Sequence, residues 1–175
     1  MSGVDEVCTE RLRLRRFRAG DAEAFAAINA DPLVVRHLGG EIDRAASDAL
    51  LGRIMGHWDE HGFGLWAAEL RDGGRMVGFV GLSIPGFLPA VLPAVEVGWR
   101  LASDVWGRGL ATEGGRAGIE WGFGALGLDR IISIIDPDNL ASLRVAEKLG
   151  MRPGRDEVHP GSGRRLRVYE RSAAR

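Results

Sequence analysis

Residues 103–112 read S-D-V-W-G-R-G-L-A-T, a turn with glycines at 107 and 109 directly ahead of a segment patterned as a helix. Glycine costs about 1 kcal/mol relative to alanine in a helix interior, so its use here must serve another end. Gly107 and Gly109 let the backbone turn tightly and let a ligand approach without meeting a Cβ. The first amides of the helix have no internal acceptor, and the helix dipole adds positive potential there. The result is an anion site suited to a phosphate or diphosphate, with Arg108 as a charged donor between the glycines. A purely structural turn is the alternative. Two nucleotide motifs are excluded: G-x-x-x-x-G-K-[ST] is absent, and G-x-G-x-x-G fails because position 112 is Thr.

Two further places carry groups that could do chemistry. In V95-E-V-G-W-R-L101, strand alternation puts Val95, Val97, Trp99 and Leu101 on one face and Glu96, Gly98 and Arg100 on the other. Glu96 then faces either solvent or a cleft, and only in a cleft would its pKa rise enough to make it a useful base. In NLASLRVAEKLG, a turn of about 100° per residue groups Leu143, Val145, Ala146 and Leu149 on an inward face, with Arg144, Glu147 and Lys148 opposite. Ser142 falls in the middle of that inward face and Asn139 at its start. Ser142 either bonds back to the carbonyl four residues earlier, with Asn139 only capping the helix, or both touch a ligand.

H57-W-D-E-H61 raises a different chemistry. It fits the H-x-x-E-H pattern of inverted zinc peptidases, with two histidines four apart on a helix and Glu60 as base. Its place at a helix end, before Gly62, also suits histidines that simply interact with the helix dipole. No third ligand is signalled, so no metal is expected. Cys8 is the only cysteine, which rules out an internal disulfide and a cysteine-based zinc site.

The elements that must position these groups follow from periodicity. A strand is expected over 9–17 with Leu12, Leu14 and Arg16 on one face, and a helix over 22–30 with Asp21 as its N-cap. A second helix runs from about Ser47 to His61 and stops at Gly62. LWAAEL and MVGFVGLSI, joined by Asp72-Gly73-Gly74, form a hairpin. Strands follow at 95–101 and 130–135, each succeeded by a helix, and then come strands near 151–158 and 164–171 around a Pro160–Gly163 turn. Gly114, Gly118 and Gly122 recur every four residues, a stripe that would let the helix lie close to a sheet. Residues 85–93, PGFLPAVLP, are unusually apolar for a connector and are expected to border an acceptor site or a dimer interface.

The 175 residues suit one domain, and a composition 45% hydrophobic and 27% charged is that of an ordinary soluble protein. The class is α/β or α+β on one central sheet. A formal net charge of −1 gives no global reason to expect nucleic acid or an anionic membrane as partner. The arginines of TERLRLRRF suit a solvated strand face better than a nucleic-acid patch. Neither a signal pattern nor a membrane-length apolar run is present, so a cytoplasmic location is expected. The basic residues are 22 arginines and the single Lys148.

Taken together, TERLRLRRFRAGDAEAF, VEVGWRLASDVWGRGLATEGGRAGIEWGF and DPDNLASLRVAEKLGM resemble the GNAT acetyltransferase superfamily, in particular its RimJ/RimL-like ribosomal-protein N-terminal acetyltransferase branch. The resemblance implies one domain over 9–171 between short flexible tails, 1–8 and 172–175. It implies a mixed, mostly antiparallel sheet of six to seven strands, splayed between the fourth (95–101) and fifth (130–135). Acetyl-coenzyme A would lie in the split. The amides of Val105, Gly107, Arg108, Gly109, Ala111 and Thr112 would hold its diphosphate, the backbone of Trp99 and Leu101 would pair with its pantetheine arm, and Asn139 would contact that arm near the thiol. Transfer would be direct, with Glu96 as general base through a water and Ser142 protonating the departing thiolate. Two departures from the family pattern stand out: Asp104 replaces a Gln or Arg, and Ala146 replaces the tyrosine that many members use as general acid. Tyr169, the only tyrosine, lies in the last strand. The resemblance favours a protein or peptide α-amino group as acceptor, ahead of a small amine, amino acid or antibiotic, and a monomer or homodimer. A non-catalytic acyl-coenzyme A binding module is the rival on the same fold.

Overall fold

Met76–Ser83 is buried at every position but its last, and a strand with both faces covered belongs in the middle of a sheet. In the computed structural model, which describes residues 6–40 and 42–174, the elements run in this order: β1 (Glu6–Cys8), β2 (Leu12–Arg15), α1 (Ala22–Asn29), α2 (Pro32–Val35), α3 (Arg44–His61), β3 (Leu65–Leu70), β4 (Met76–Ser83), β5 (Glu96–Leu101), α4 (Leu110–Gly124), β6 (Arg130–Ile135), α5 (Leu140–Lys148), β7 (Arg152–Val158) and β8 (Arg165–Ser172). All eight strands form one sheet in the order β1-β2-β3-β4-β5-β6-β8-β7, antiparallel except for β5–β6. The strand count exceeds the six to seven expected. The additional strand, β1, lies where the pattern suggests only a tail; it pairs with β2 and is tied there by Arg13, which grips Glu6 at 2.7 and 2.8 Å.

Helices cover both faces. On one, α1 and α3 pack Phe25, Ile28, Leu51 and Ile54 against Ala67 and Phe79. On the other, α4 and α5 bury Leu110, Ile119, Ala146 and Leu149 over the sheet. Two of the three α4 stripe glycines are needed for that close approach. A Cβ at Gly114 would come within 3.1 Å of Val80, and one at Gly122 within 2.8 Å of Ile131, whereas Gly118 has ordinary room.

Local details depart from the sequence pattern for clear reasons. Asp21 does not cap α1 with its side chain; its carboxylate receives Arg15 at 2.8 and 2.9 Å and the Arg18 amide at 2.8 Å. Helix α3 begins at Arg44 because Asp43 caps it through the Ala46 amide, while Ser47 is buried against Asn29 at 2.9 Å. The arginines of TERLRLRRF are all engaged in ion pairs: Arg11 with Glu113, Arg13 with Glu6, Arg15 with Asp21 and Glu69, Arg16 with Asp59. Part of the apolar connector is core, with Leu88 and Val91 packed on Ile132, Leu166 and Val168. Among the described residues no helix is long and apolar enough to cross a membrane.

Candidate active site

The parallel pair at the centre of the sheet is barely a pair. β5 and β6 share one register position, Glu96 with Ile132, closed by the Ile132 amide donating to Val95 O at 2.9 Å. Beyond it the strands diverge, as expected between 95–101 and 130–135. On its other side β5 is fully paired with β4, and the Ala102 amide donates to Val77 O at 2.8 Å. In an antiparallel ladder this directs the even-numbered residues at β4 and turns the main-chain groups of Trp99 and Leu101 toward the gap. The Leu101 carbonyl is already taken by the Trp106 indole at 2.8 Å, leaving its N–H.

The glycine-rich turn sits at the open end of this gap. Gly109 is the N-cap of α4 with φ of 79°, a left-handed conformation that a side chain would strain. Among the described residues, no protein acceptor receives the amides of Gly107, Arg108, Gly109, Leu110, Ala111 or Thr112; the first closed rung is Glu113 N to Gly109 O at 3.0 Å. The Val105 amide differs, since it donates to Ala102 O at 3.2 Å within a short 3-10 turn. Asp104 adds no unpaired negative charge, because Arg75 holds it at 2.8 Å. Six amides without a protein acceptor thus gather at the start of a fifteen-residue helix, where main-chain N–H groups and the helix dipole favour negative charge.

At the closed end lies Glu96, half-buried in the wall of a cleft. Burial raises its pKa to about 7, opposed by the Ile134 amide, which donates to Oε1 at 3.2 Å. Near neutral pH such a carboxyl is poised to accept a proton. It lines a cleft of ≈ 410 Å³ together with Phe87, Trp99, Arg100, Asn139 and Ser142.

The family model described as acetyltransferase (GNAT) domain matches residues 11–152 of this chain. The chain belongs to the GNAT acetyltransferase family. This GNAT protein is 32% identical to the Uncharacterized protein YkkB of Bacillus subtilis (strain 168) over 152 residues, 86% of this chain and 87% of YkkB. It superposes on the crystal structure of the acetyltransferase from Agrobacterium tumefaciens str. C58 with a TM-score of 0.85 at 26% identity, covering 97% of this chain and 95% of that one. The fold is also that of Mycobacterium smegmatis RimJ in complex with CoA-disulfide, with a TM-score of 0.74, 23% identity, and coverage of 97% and 88%.

Within this GNAT fold Ser142 does not bond back along its helix. Its Oγ accepts the Trp99 indole N–H at 3.2 Å, which leaves the hydroxyl proton free to be donated into the cleft. Asn139 does cap α5, its Oδ1 accepting the Ser142 amide at 3.1 Å, and its amide nitrogen is left available. His57 is a structural residue: Nδ1 bonds to Phe63 O at 2.8 Å and Nε2 accepts the Ile84 amide at 3.1 Å, so neither ring nitrogen is left for a metal. Burial pushes the His57 pKa down, in keeping with a neutral ring. No cluster of metal-ligating side chains occurs among the described residues.

Three residues at the site go unread in the sequence. Arg11 Nη1 donates to the carbonyl of Arg108 at 2.7 Å and its Nε to Glu113 at 2.7 Å, latching the turn to β2. Thr9 joins the same carboxylate at 2.5 Å. Partners about a hundred positions apart leave no local spacing to read. Arg100 does have a signal, since it shares the face of Glu96 and Gly98, but alternation alone gives it no task.

Proposed function

We propose that the protein transfers an acetyl group from acetyl-coenzyme A directly to a primary amine. The observation that carries the reading is the split between β5 and β6, which has unpartnered main-chain amides at its open end and a carboxyl of raised pKa at its closed end. The residues present suit coenzyme A: the amides of Gly107–Thr112 hold the diphosphate, the free edges of Trp99 and Leu101 receive the amide groups of the pantetheine arm as an added strand would, and Asn139 contacts the arm near its thiol. Val105 shapes the turn from within, its own amide being engaged.

The thioester supplies the activated acetyl group. Glu96 removes the proton from the ammonium of the acceptor through a water, so that the neutral amine attacks the carbonyl carbon. A β5 main-chain amide polarises the carbonyl oxygen. As the tetrahedral intermediate collapses and the carbon–sulfur bond breaks, Ser142 donates its proton to the thiolate. It is reprotonated by the second proton that the nitrogen sheds on becoming an amide, so that one proton ends on Glu96 and one on the thiol. The Trp99 indole supports this role, because a hydroxyl already accepting one hydrogen bond is turned to give its own. Glu96 and Ser142 act as base and acid although Ala146 offers no phenol.

The likeness to the RimJ/RimL-like branch brings a protein or peptide α-amino group as acceptor, and a small amine is the alternative. The test is release of free thiol from acetyl-coenzyme A with peptides of varied first residue and with small amines. Turnover on any of them that is lost in Glu96→Gln supports the reading. Coenzyme A binding without turnover on every amine would leave an acyl-coenzyme A binding module in its place.

A further inference from the structure

Arg100 is the arginine in the cleft that neither the reaction above nor a carboxylate among the described residues engages. It stands directly opposite Phe79 in the β4–β5 register, with its guanidinium 5.2 Å from the ring centroid. Nη1 donates to Asn29 Oδ1 at 2.7 Å, while Nε is buried without an acceptor. Asn29 is itself fully buried and donates to Ser47 Oγ at 2.9 Å. This chain from α3 through α1 to β5 fixes the guanidinium in place but supplies no negative charge. Burial lowers the Arg100 pKa to about 10, which still leaves it charged at neutral pH, and no carboxylate among the described residues offsets that cost.

Two other arginines packed into the fold are treated differently. Arg15 is pinned between Asp21 and Glu69, and Arg164, across the cleft, is held by Asp136. A desolvated guanidinium with spare N–H groups is a receptor for an anion. Between Arg100 and Glu96 the strand carries Gly98, where a Cβ would meet only Leu65, at 4.0 Å, so a molecule can lie along β5. Their Cα positions are about 13 Å apart along the strand, and both side chains reach into the cleft, so the two ends of a bound molecule would be several bonds apart.

We propose that Arg100 binds a carboxylate of the acceptor, which makes the acceptor a primary amine with an acidic group several bonds from its nitrogen. The inference rests on the acetyl-transfer reading of the same cleft. Either a small ω-amino acid or a peptide with an acidic first residue presents that chemistry.

Calorimetric titration of the full-length protein saturated with coenzyme A tests it. The probes are 5-aminovalerate against 5-amino-1-pentanol, and peptides beginning with Asp or Glu against those beginning with Asn or Gln. The carboxylate member of one pair is expected to bind about 10-fold or more tightly, and the pair that discriminates names the source. Arg100→Met should erase the difference and Arg100→Lys should keep part of it, with coenzyme A still bound by both. Equal binding within both pairs, no binding by any probe, or discrimination that survives Arg100→Met would overturn the proposal. The wild-type comparison decides even if Arg100→Met does not fold. Thiol release with the same compounds separates the two readings. Discrimination in binding with no release removes acetyl transfer and leaves the anion receptor, whereas release indifferent to the carboxylate does the reverse.

Discussion

The turn at 105–112 and the cleft around Glu96 sit at opposite ends of one split, and they are built from different materials. On the proposed reading the turn works with main-chain amides, so side-chain identity matters little there beyond the glycines that φ of 74° and 79° require at 107 and 109. The cleft works with side chains whose properties are set by burial, as the raised pKa of Glu96 and the lowered pKa of Arg100 illustrate. A main-chain site is broken by adding atoms to it. A side-chain site is broken by removing one functional group.

That contrast orders the expected effects. Glu96→Gln keeps the shape and removes the proposed base, so turnover should fall by about 10² to 10⁴-fold with coenzyme A affinity little changed; steady-state kinetics and a coenzyme A titration check both halves. In the wild type, kcat/KM should climb as pH rises through about 7, where Glu96 loses its proton, and Glu96→Gln should lack that limb. Ser142→Ala should lower turnover by about 10²-fold, at the lower end of the range for acid–base groups, because a thiolate is a fair leaving group unaided. A rate within twofold of wild type would remove Ser142 from the chemistry.

At the turn, Gly109→Ala forces a side chain into the left-handed region at a cost of about 1–2 kcal/mol, equivalent to a rise in the KM for acetyl-coenzyme A of roughly 5- to 30-fold, with kcat nearly preserved. Arg11→Met should raise the same KM by only a few-fold, since the arginine is 43% exposed and its ion pair with Glu113 is screened by solvent. The smallest effect is on stability. Between pH 4.5 and about 7 an unfolded chain has released the Glu96 proton while the folded protein keeps it. The native state then binds more protons, so stability falls as pH rises across that window. Urea midpoints measured across it should show a shallower fall in Glu96→Gln.

The same contrast explains what could be read in the chain beforehand. Strand alternation and helical periodicity act locally, so β3, β4, β5, β6 and the Gly62 stop of α3 were all legible, as was the glycine turn, whose conformational needs are written in its own residues. Resemblance supplied the split, which no periodicity encodes. Alternation put Glu96 and Arg100 on one face, but whether that face was wet or enclosed depended on α1 and α3 covering it. Asp21 reads as a cap because Asp commonly caps; its recruitment by Arg15 depends on a folded neighbour. The pairing of β1 depends likewise on Glu6 meeting Arg13 across a strand boundary. The Arg11 latch on Glu113 appears only once β2 lies beside α4.

The most direct test is a crystal structure of the protein with coenzyme A. The expected result is diphosphate oxygens within hydrogen-bonding distance of the amides of Gly107–Thr112, with the pantetheine arm along the free edge of Trp99 and its sulfur near Ser142. A diphosphate bound elsewhere, or a β5–β6 gap filled by side chains while coenzyme A occupies another surface, would contradict it.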